Sequence, residues 1–279
     1  MKIDIINTGS ELMLGRVLNT HQQWLCRQLA DIGYVVERQV AIADTATDIQ
    51  STIRESLGRA DLIITTGGLG PTSDDLTRDL VAGLLERKLH VDEAALANIQ
   101  SFFSRRKRPM PESTKVQAMV PDGAIVLQNA HGTAPGLAIQ ITSNPFRNDR
   151  CTTWLIMLPG PPRELHPMFK TQVVPLLLEK LPLDAAYVCR TLRTTGIGES
   201  WAEEKIAAPL KHLVESGLDL GYCARTGEVD IRLAASGCGA QEIVNEAETI
   251  VRKEIENHIF GEDDQSMESV IVQILASQR

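Results

Sequence analysis

The hydrophobic and polar positions follow two different periods along residues 1–180. Short apolar runs rich in isoleucine, leucine and valine predict buried strands; in chain order they are IDIINT, YVVERQVAI, DLIITT, AIVLQN, GLAIQI and TTWLIMLPG. Between several of them, apolar residues recur at the spacing of an amphipathic helix, as at Ile49, Ile53 and Leu57. Strands that alternate with helices favour βαβ units, so this region is predicted to form a three-layer α/β domain around a mostly parallel sheet.

The pattern changes after the segment LPLDAA. A strand, a helix, two strands and a second helix are predicted in the order YVCRTLRTTG, a helix from Glu199, LDLGYCART, EVDIRLAAS and AQEIVNEAETIVRKEIEN. This order is typical of a small α+β domain with an antiparallel sheet, which we expect over residues 184–263. Residues 264–279 have helical spacing and are predicted to be a linker or a terminal helix.

The charge and composition of the chain argue against several classes of protein. The formal net charge is −8, and residues 182–263 hold 8 Lys and Arg against 15 Asp and Glu, which argues against nucleic-acid binding. The five cysteines are far apart and form no C-x-x-C pair, so neither a disulfide framework nor a zinc cluster is expected. No signal-peptide pattern or membrane-spanning apolar stretch is found. We therefore expect a cytoplasmic protein that binds neither nucleic acid nor membranes.

The stretch TTGGLGPTSDDLTRD follows the third predicted strand and precedes a helical pattern. Gly67, Gly68 and Gly70 can adopt positive φ angles and let a ligand approach the backbone closely. Successive amides in such a turn, at the start of a helix, form a site for an anion. The stretch is neither a Walker loop nor a G-x-G-x-x-G fingerprint, and the glycines alone fit a tight structural turn equally well.

Two aspartates stand beside this predicted anion site. The structural interpretation is that Thr72 and Asp75 form a capping box and that acidic side chains complement the helix dipole. The functional interpretation starts from the repulsion between carboxylates and phosphates, which a bridging divalent cation removes. Mg²⁺ binds one or two carboxylates together with substrate phosphates and water. We favour a metal-assisted phosphate site in which Asp74 and Asp75 are ligands or bases.

Other predicted loops reach the same edge of the sheet, because the carboxyl ends of parallel strands meet there. Each loop alone is weak evidence, and Asp44 fits the role of a helix N-cap as well as that of a ligand. Together, the loops could converge on one ligand. The candidate residues that they add are Ser10, Glu11, Asp44, Gly132, Thr133, Gly160 and Arg163. The loop that holds Gly160 and Arg163 also offers Glu164, which is not selected as a site residue.

Several ordered motifs resemble those of the CinA (competence/damage-inducible) family. They are NTGSELMLGRVLNT, TTGGLGPTSDDLT, HGTAPG, LPGPPRELHPMF and GIGES. The first domain is similar to the MoaB/MogA molybdopterin-binding fold, and the second to the KH-like domain of the family. His21 stands where the family usually has asparagine. The resemblance runs from Met1 to about Asp264, and the family's nicotinamide mononucleotide deamidase domain would begin near the last residue of this chain.

The resemblance implies a metal-dependent pyrophosphatase that hydrolyses ADP-ribose to AMP and ribose 5-phosphate. Asp75 matches the aspartate of the MogA-type motif RDVT, and Asp44 matches the aspartate after the second strand of that fold. Both are therefore implied as catalytic residues and metal ligands, with Asp74 as a third catalytic candidate. The glycine amides and the Thr72 hydroxyl would hold the diphosphate.

The same resemblance implies the cofactor and the partners. The cofactor would be Mg²⁺ or a similar divalent ion such as Co²⁺ or Mn²⁺, with K⁺ as a further candidate. The partners would be a small nucleotide substrate and a second copy of the chain, in a homodimer. The alternative function is a module of the MoaB/MogA type that binds molybdopterin or a nucleotide without hydrolysing it.

Overall fold

The computed structural model describes residues 1–183 and 185–277. They form two compact units: one comprises Met1–Ala30 and Tyr34–Pro182, and the other comprises Asp31–Gly33 and the chain from Leu183 onward. Residue 184, where the second domain is predicted to begin, lies outside the described residues, as do residues 278 and 279 of the predicted terminal segment.

The first unit alternates strands and helices. Its strands are β1 (Ile3–Thr8), β2 (Arg38–Ile42), β3 (Leu62–Thr66), β4 (Leu89–Val91), β5 (Met119–Pro121), β6 (Ala124–Leu127), β7 (Gly136–Ile141) and β8 (Thr153–Leu158). Its α-helices are α1 (Ser10–Met13), α2 (Thr20–Ala30), α3 (Ala46–Leu57), α4 (Thr77–Leu84), α5 (Glu93–Arg105), α6 (Pro162–Met168) and α7 (Val174–Lys180). A 3-10 helix spans Glu112–Ala118, and a π-helical turn spans Phe169–Val173.

The main sheet has six strands in the order β2-β1-β3-β8-β7-β6. The pairs β1–β2, β1–β3 and β3–β8 are parallel, whereas β7 pairs antiparallel with both β8 and β6. Every residue of β1, β3 and β8 is buried. Such complete burial is expected where both faces of a parallel sheet are covered. The predicted α/β fold around a mostly parallel sheet is confirmed.

The register of the central strands places three loops side by side. Thr66 at the end of β3 pairs with Asn7 of β1 and with Leu158 of β8. The loops after these strands therefore leave the sheet at the same edge. The Gly67 amide donates to the Leu158 carbonyl at 3.0 Å, which ties the first residue of the loop after β3 to the last residue of β8.

Two local predictions differ from the structure. The second predicted strand begins only at Arg38, and Tyr34 instead packs fully buried with its hydroxyl donating to the Leu181 carbonyl at 2.9 Å. The sequence pattern also missed the two-stranded sheet of β4 and β5. A strand as short as three residues offers too few positions for an alternation to be recognised.

The second unit contains β9 (Tyr187–Thr195), α8 (Glu199–Glu215), β10 (Asp219–Arg225), β11 (Glu228–Ser236), α9 (Ala240–Ile255), β12 (Ile259–Glu262) and α10 (Met267–Ser277). Its antiparallel sheet has the order β10-β11-β9-β12, which confirms the predicted α+β fold. All five cysteines are free thiols. Among the described residues, we find no helix with the length and apolar character that a membrane crossing requires.

Candidate functional site

The turn after β3 depends on glycine for two physical reasons. Gly67 and Gly68 have φ angles of +96° and +69°, in the left-handed region that side chains rarely adopt. There is also no room for a side chain: a Cβ on Gly67 would lie 2.7 Å from Thr8 Oγ1, and one on Gly68 would overlap the Thr77 hydroxyl. The Thr77 amide donates to the Gly68 carbonyl at 3.1 Å, so the turn folds back on the first residue of α4.

A pocket of about 310 Å³ opens at this turn. Six of the predicted site residues line it: Gly67, Gly68, Gly70, Asp75, Thr133 and Gly160. The structure therefore brings together the loops after β3 and β8 and the loop that precedes β7. The remaining lining residues are Leu69, Pro71, Gln117, Ala134, Pro159, Pro161 and Glu164.

Asp75 is held by the turn that it closes. Its Oδ2 accepts from the Thr72 amide at 2.9 Å and from the Thr72 hydroxyl at 2.5 Å. A Cβ on Gly70 would overlap this carboxylate, so glycine is needed there to let Asp75 lie against the backbone. The helix begins two residues later, at Thr77, with no side-chain cap on Leu76. The pairing of Thr72 with Asp75 thus closes the turn before the helix.

Asp74 and Thr72 are exposed and do not belong to the pocket lining. The Thr72 hydroxyl, whose single proton Asp74 shares with Asp75, and the backbone amide of Asp74 itself lower the pKa of Asp74. Asp74 is therefore an anionic group beside the pocket.

Asp44, Ser10 and Glu11 lie in neighbouring loops and are also absent from the lining. Asp44 Oδ2 accepts from the Ser10 amide at 2.8 Å, and the Asp44 amide donates to Ser10 Oγ at 3.2 Å. This reciprocal pair joins the end of β2 to the start of α1. The N-cap of α3 is Thr45, whose hydroxyl accepts from the Asp48 amide, so Asp44 does not fill the N-cap role considered for it. Glu11 is exposed on α1.

Glu164 supplies a buried carboxylate that the sequence analysis did not select. It is 7% exposed, lines the pocket, and its Oε2 accepts from Asn129 Nδ2 at 2.8 Å. The buried residue Gly132 leaves room for this carboxylate, because a Cβ on it would overlap Glu164 in its present position. The predicted residue Arg163 instead points to solvent: its side chain is 79% exposed, and its Nε lies 3.8 Å from Glu164 Oε1.

Helical spacing could have distinguished the two neighbours. In a helix that begins at Pro162, Glu164 lies on the same face as Leu165 and Met168, and all three are buried. Arg163 lies on the opposite, exposed face. A charged residue in register with an apolar stripe is therefore the signal that points to Glu164.

Gln117 is the second lining residue that the sequence did not indicate. It lies in the 3-10 helix, is 3% exposed, and its Nε2 donates to the Leu69 carbonyl at 3.4 Å. Its Oε1 is buried and has no hydrogen-bond partner. Because the Leu69 carbonyl can only accept, the amide nitrogen must face it, and the orientation of the amide is settled. No local sequence signal distinguishes this glutamine from a surface residue.

His21 contacts the wall of the pocket through the lining residue Gly160. Its Nε2 donates to the carbonyl of Gly160, which can only accept, so Nε2 carries the ring proton. Nδ1 is buried and unpaired. Burial lowers the pKa of His21, although the hydrogen bond to Gly160 opposes the shift. The imidazole is therefore held neutral in the folded protein.

The lowered pKa predicts how stability depends on pH. At about pH 7.5, a unit above the usual histidine pKa of 6.5, His21 is mostly neutral in both the folded and the unfolded state. As the pH falls from about 7.5 to about 5.5, the unfolded chain takes up the proton first, and the free energy of unfolding decreases. Calorimetric unfolding should show this decrease in the parent and a smaller one in His21→Asn. His131→Asn, at an exposed histidine, should behave as the parent; equal pH dependence in parent and His21→Asn would contradict the assignment.

The acidic residues of the site are few. Within residues 1–183 and 185–277, no three His, Cys, Asp or Glu side chains are placed to hold a metal ion together. A cation in this pocket would need ligands of other types, such as amide oxygens, phosphate oxygens and water. Mg²⁺ is commonly bound in this way, by one or two carboxylates together with substrate phosphates.

The fold and the pocket define this as a protein with an α/β domain of the molybdopterin-binding type. A family model described as "Probable molybdopterin binding domain" matches residues 4–179. A second one, described as "Damage-inducible protein CinA KH domain", matches residues 189–261. The chain belongs to the CinA family.

Individual relatives agree with this assignment. A CinA-like protein from Akkermansia muciniphila is 39% identical over 278 residues, which cover 100% of this chain and 64% of the relative. A competence-damage inducible protein from Geobacillus sp. (strain WCH70) is 37% identical over 282 residues, 100% of this chain and 65% of the relative. CinA from Thermoplasma acidophilum, whose crystal structure is known, is 29% identical in sequence and superposes with a TM-score of 0.54. The match covers 65% of this chain and 98% of the Thermoplasma chain. The chain thus spans slightly less than two thirds of the length of the two relatives.

Proposed function

We propose that the pocket hydrolyses the pyrophosphate bond of ADP-ribose, giving AMP and ribose 5-phosphate, with a divalent cation as cofactor. The observation that carries the proposal is the meeting of two opposite features in one pocket. Glycine backbone at positions 67, 68 and 70 suits an anion, whereas the carboxylates of Asp75 and Glu164 repel one. A ligand that combines phosphate with a cation satisfies both.

The residues of the chain would bind and orient the diphosphate. Backbone amides of Gly68 and Gly70 would bind its oxygens, since the Gly67 amide already donates to the Leu158 carbonyl, and Thr133, which also lines the pocket, would add a hydroxyl. Asp75, held by Thr72, would keep one carboxylate oxygen at a constant position for the cation. A bound divalent cation would offset the phosphate charge and lower the pKa of the attacking water. Positioning and charge stabilisation of this kind are the main contributions in phosphoryl transfer.

Two further carboxylates, those of Asp74 and Asp44, lie outside the pocket lining. Asp74 remains a third catalytic candidate, as an anion beside the pocket. Asp44 as a cation ligand stays a prediction. Its Oδ2 already accepts a hydrogen bond from the Ser10 amide, and Asp44 does not line the pocket.

In the proposed reaction, water adds to one phosphorus of the diphosphate, and the bond from that phosphorus to the bridging oxygen breaks. The water protons are released to the product phosphates and the solvent.

Product analysis tests the proposal. The protein is incubated with ADP-ribose, NAD or FAD, with Mg²⁺, Co²⁺ or EDTA, and the products are separated by ion-exchange chromatography. We expect AMP and ribose 5-phosphate from ADP-ribose, and no product with EDTA. Absence of AMP with every cation would overturn the proposal.

The match to a model described as a probable molybdopterin binding domain favours a second candidate function. The pocket would then bind a pterin phosphate or a nucleotide without hydrolysing it. Calorimetry with molybdopterin, AMP and ADP-ribose, run beside the product assay, separates the two. Binding without release of AMP would favour the binding module.

A further inference from the structure

We propose that Glu164 and Gln117 bind the divalent cation together with Asp75, as a second carboxylate ligand and an amide-oxygen ligand. The inference rests on the proposed function in one respect, namely that a divalent cation binds in this pocket. What it adds is the identity of the protein ligands, which cation-binding measurements can test without substrate turnover.

The surroundings of Glu164 are those of a ligand. A carboxylate that is 7% exposed needs a hydrogen-bond donor or a cation to offset its lost hydration. Asn129 Nδ2 provides one donor, to Oε2. Arg163 Nε lies 3.8 Å from Oε1 on a side chain that extends into solvent, so it offers little compensation. Oε1 therefore has capacity for a cation.

Gln117 provides an independent observation. Its Oε1 is a buried acceptor without a partner, in a side chain that lines the pocket. Buried acceptors are rarely left unsatisfied in folded proteins, so a ligand is expected to supply the missing interaction. In a pocket that also holds two carboxylates, a cation is more favourable near this oxygen than a further anion. Amide oxygens are common ligands of hard divalent ions.

The three residues come from three segments of the chain and line the same pocket. Gln117 Nε2 lies 3.4 Å from the Leu69 carbonyl, and the Asp75 carboxylate lies against the next residue, Gly70. Gln117 and Asp75 thus flank one peptide of the glycine turn. Glu164 comes from the first turn of α6 and lines the same pocket of about 310 Å³. Three oxygen ligands leave room in the coordination shell for phosphate oxygens and water.

Mn²⁺ binding tests the assignment. Mn²⁺ is titrated into the whole chain with and without AMP, and the unbound ion is measured by electron paramagnetic resonance. Glu164→Gln keeps an oxygen that can accept from Asn129 but removes the charge, and we expect it to weaken Mn²⁺ binding by about tenfold or more. Gln117→Met, of similar size, should weaken binding by a smaller factor. Circular dichroism checks that both variants are folded.

Two further variants make the test specific. Glu179→Gln makes the same chemical change at an exposed carboxylate of α7 and should bind Mn²⁺ as the parent does. Asp44→Asn tests the competing ligand that the family resemblance implies. The proposal is overturned if the parent binds no Mn²⁺, if Glu164→Gln binds as tightly as the parent, or if Asp44→Asn alone abolishes binding.

The two proposals can fail separately. Glu164-dependent Mn²⁺ binding without hydrolysis of ADP-ribose would leave the ligand assignment standing and refute the enzymatic function. Metal-dependent hydrolysis of ADP-ribose together with unchanged Mn²⁺ affinity in Glu164→Gln would support the enzymatic function and refute the ligand assignment.

Discussion

The Asp75→Asn variant is expected to fold as the parent does and to hydrolyse ADP-ribose at least about 100-fold more slowly at saturating Mg²⁺. Asparagine has the size of aspartate and keeps an oxygen that can accept both hydrogen bonds from Thr72. The turn should therefore keep its shape while the pocket loses one negative charge. The measurements are kcat and KM for ADP-ribose at several Mg²⁺ concentrations, with thermal unfolding as the check on folding.

The control for this variant is Asp122→Asn. It makes the same substitution at an exposed carboxylate paired with His90, away from the pocket lining. We expect parental kcat and KM from it. A parental rate in Asp75→Asn, or an equal loss in both variants, would mean that the Asp75 carboxylate has no part in the reaction.

The Gly68→Ala variant is expected to lose stability. An alanine at φ +69° costs roughly 1 to 2 kcal/mol for the left-handed backbone, and the overlap with Thr77 adds roughly 1 to 3 kcal/mol. Thr77 cannot move aside easily, because it is fully buried and its amide donates to the Gly68 carbonyl. The free energy of unfolding, measured with urea, should fall by about 3 kcal/mol.

Gly83 provides the matched control in the same segment. It lies inside α4, and a Cβ there would meet no atom within 4 Å. Gly83→Ala should therefore raise the free energy of unfolding by about 0.5 to 1 kcal/mol, through the lower entropy of the unfolded chain and the better helix propensity. Equal effects of the two substitutions would show that the turn relaxes around a side chain at Gly68, and that glycine is not needed to shape the pocket.

The architecture was largely accessible from the sequence. The isoleucine-rich runs at Ile3–Thr8 and Leu62–Thr66 identified β1 and β3, because a strand covered on both faces carries apolar residues on both faces and not only at alternate positions. The hydrophobic pattern did not predict local structure correctly where contacts between residues distant in sequence determine it. Tyr34 looked like part of a strand and is instead packed with its hydroxyl on the Leu181 carbonyl.

The site was accessible only in part. The glycine turn and Asp75 were visible because left-handed backbone restricts residue choice, and a carboxylate beside an anion turn calls for an explanation. The choice of Arg163 over Glu164 followed charge and ignored which face of the helix each residue occupies. Gln117 had no local signal at all, because its importance comes from a pocket formed by segments far apart in the chain.

The sequence by itself determined the two folds and the glycine turn, since apolar periodicity and the backbone freedom of glycine are local properties. Only the tertiary structure decided which side chains share the pocket. The register of β1, β3 and β8 places their loops side by side, and packing then turns Glu164 inward, Arg163 outward and Asp44 onto Ser10. Distances across separate loops depend on this register and packing, which no single segment encodes.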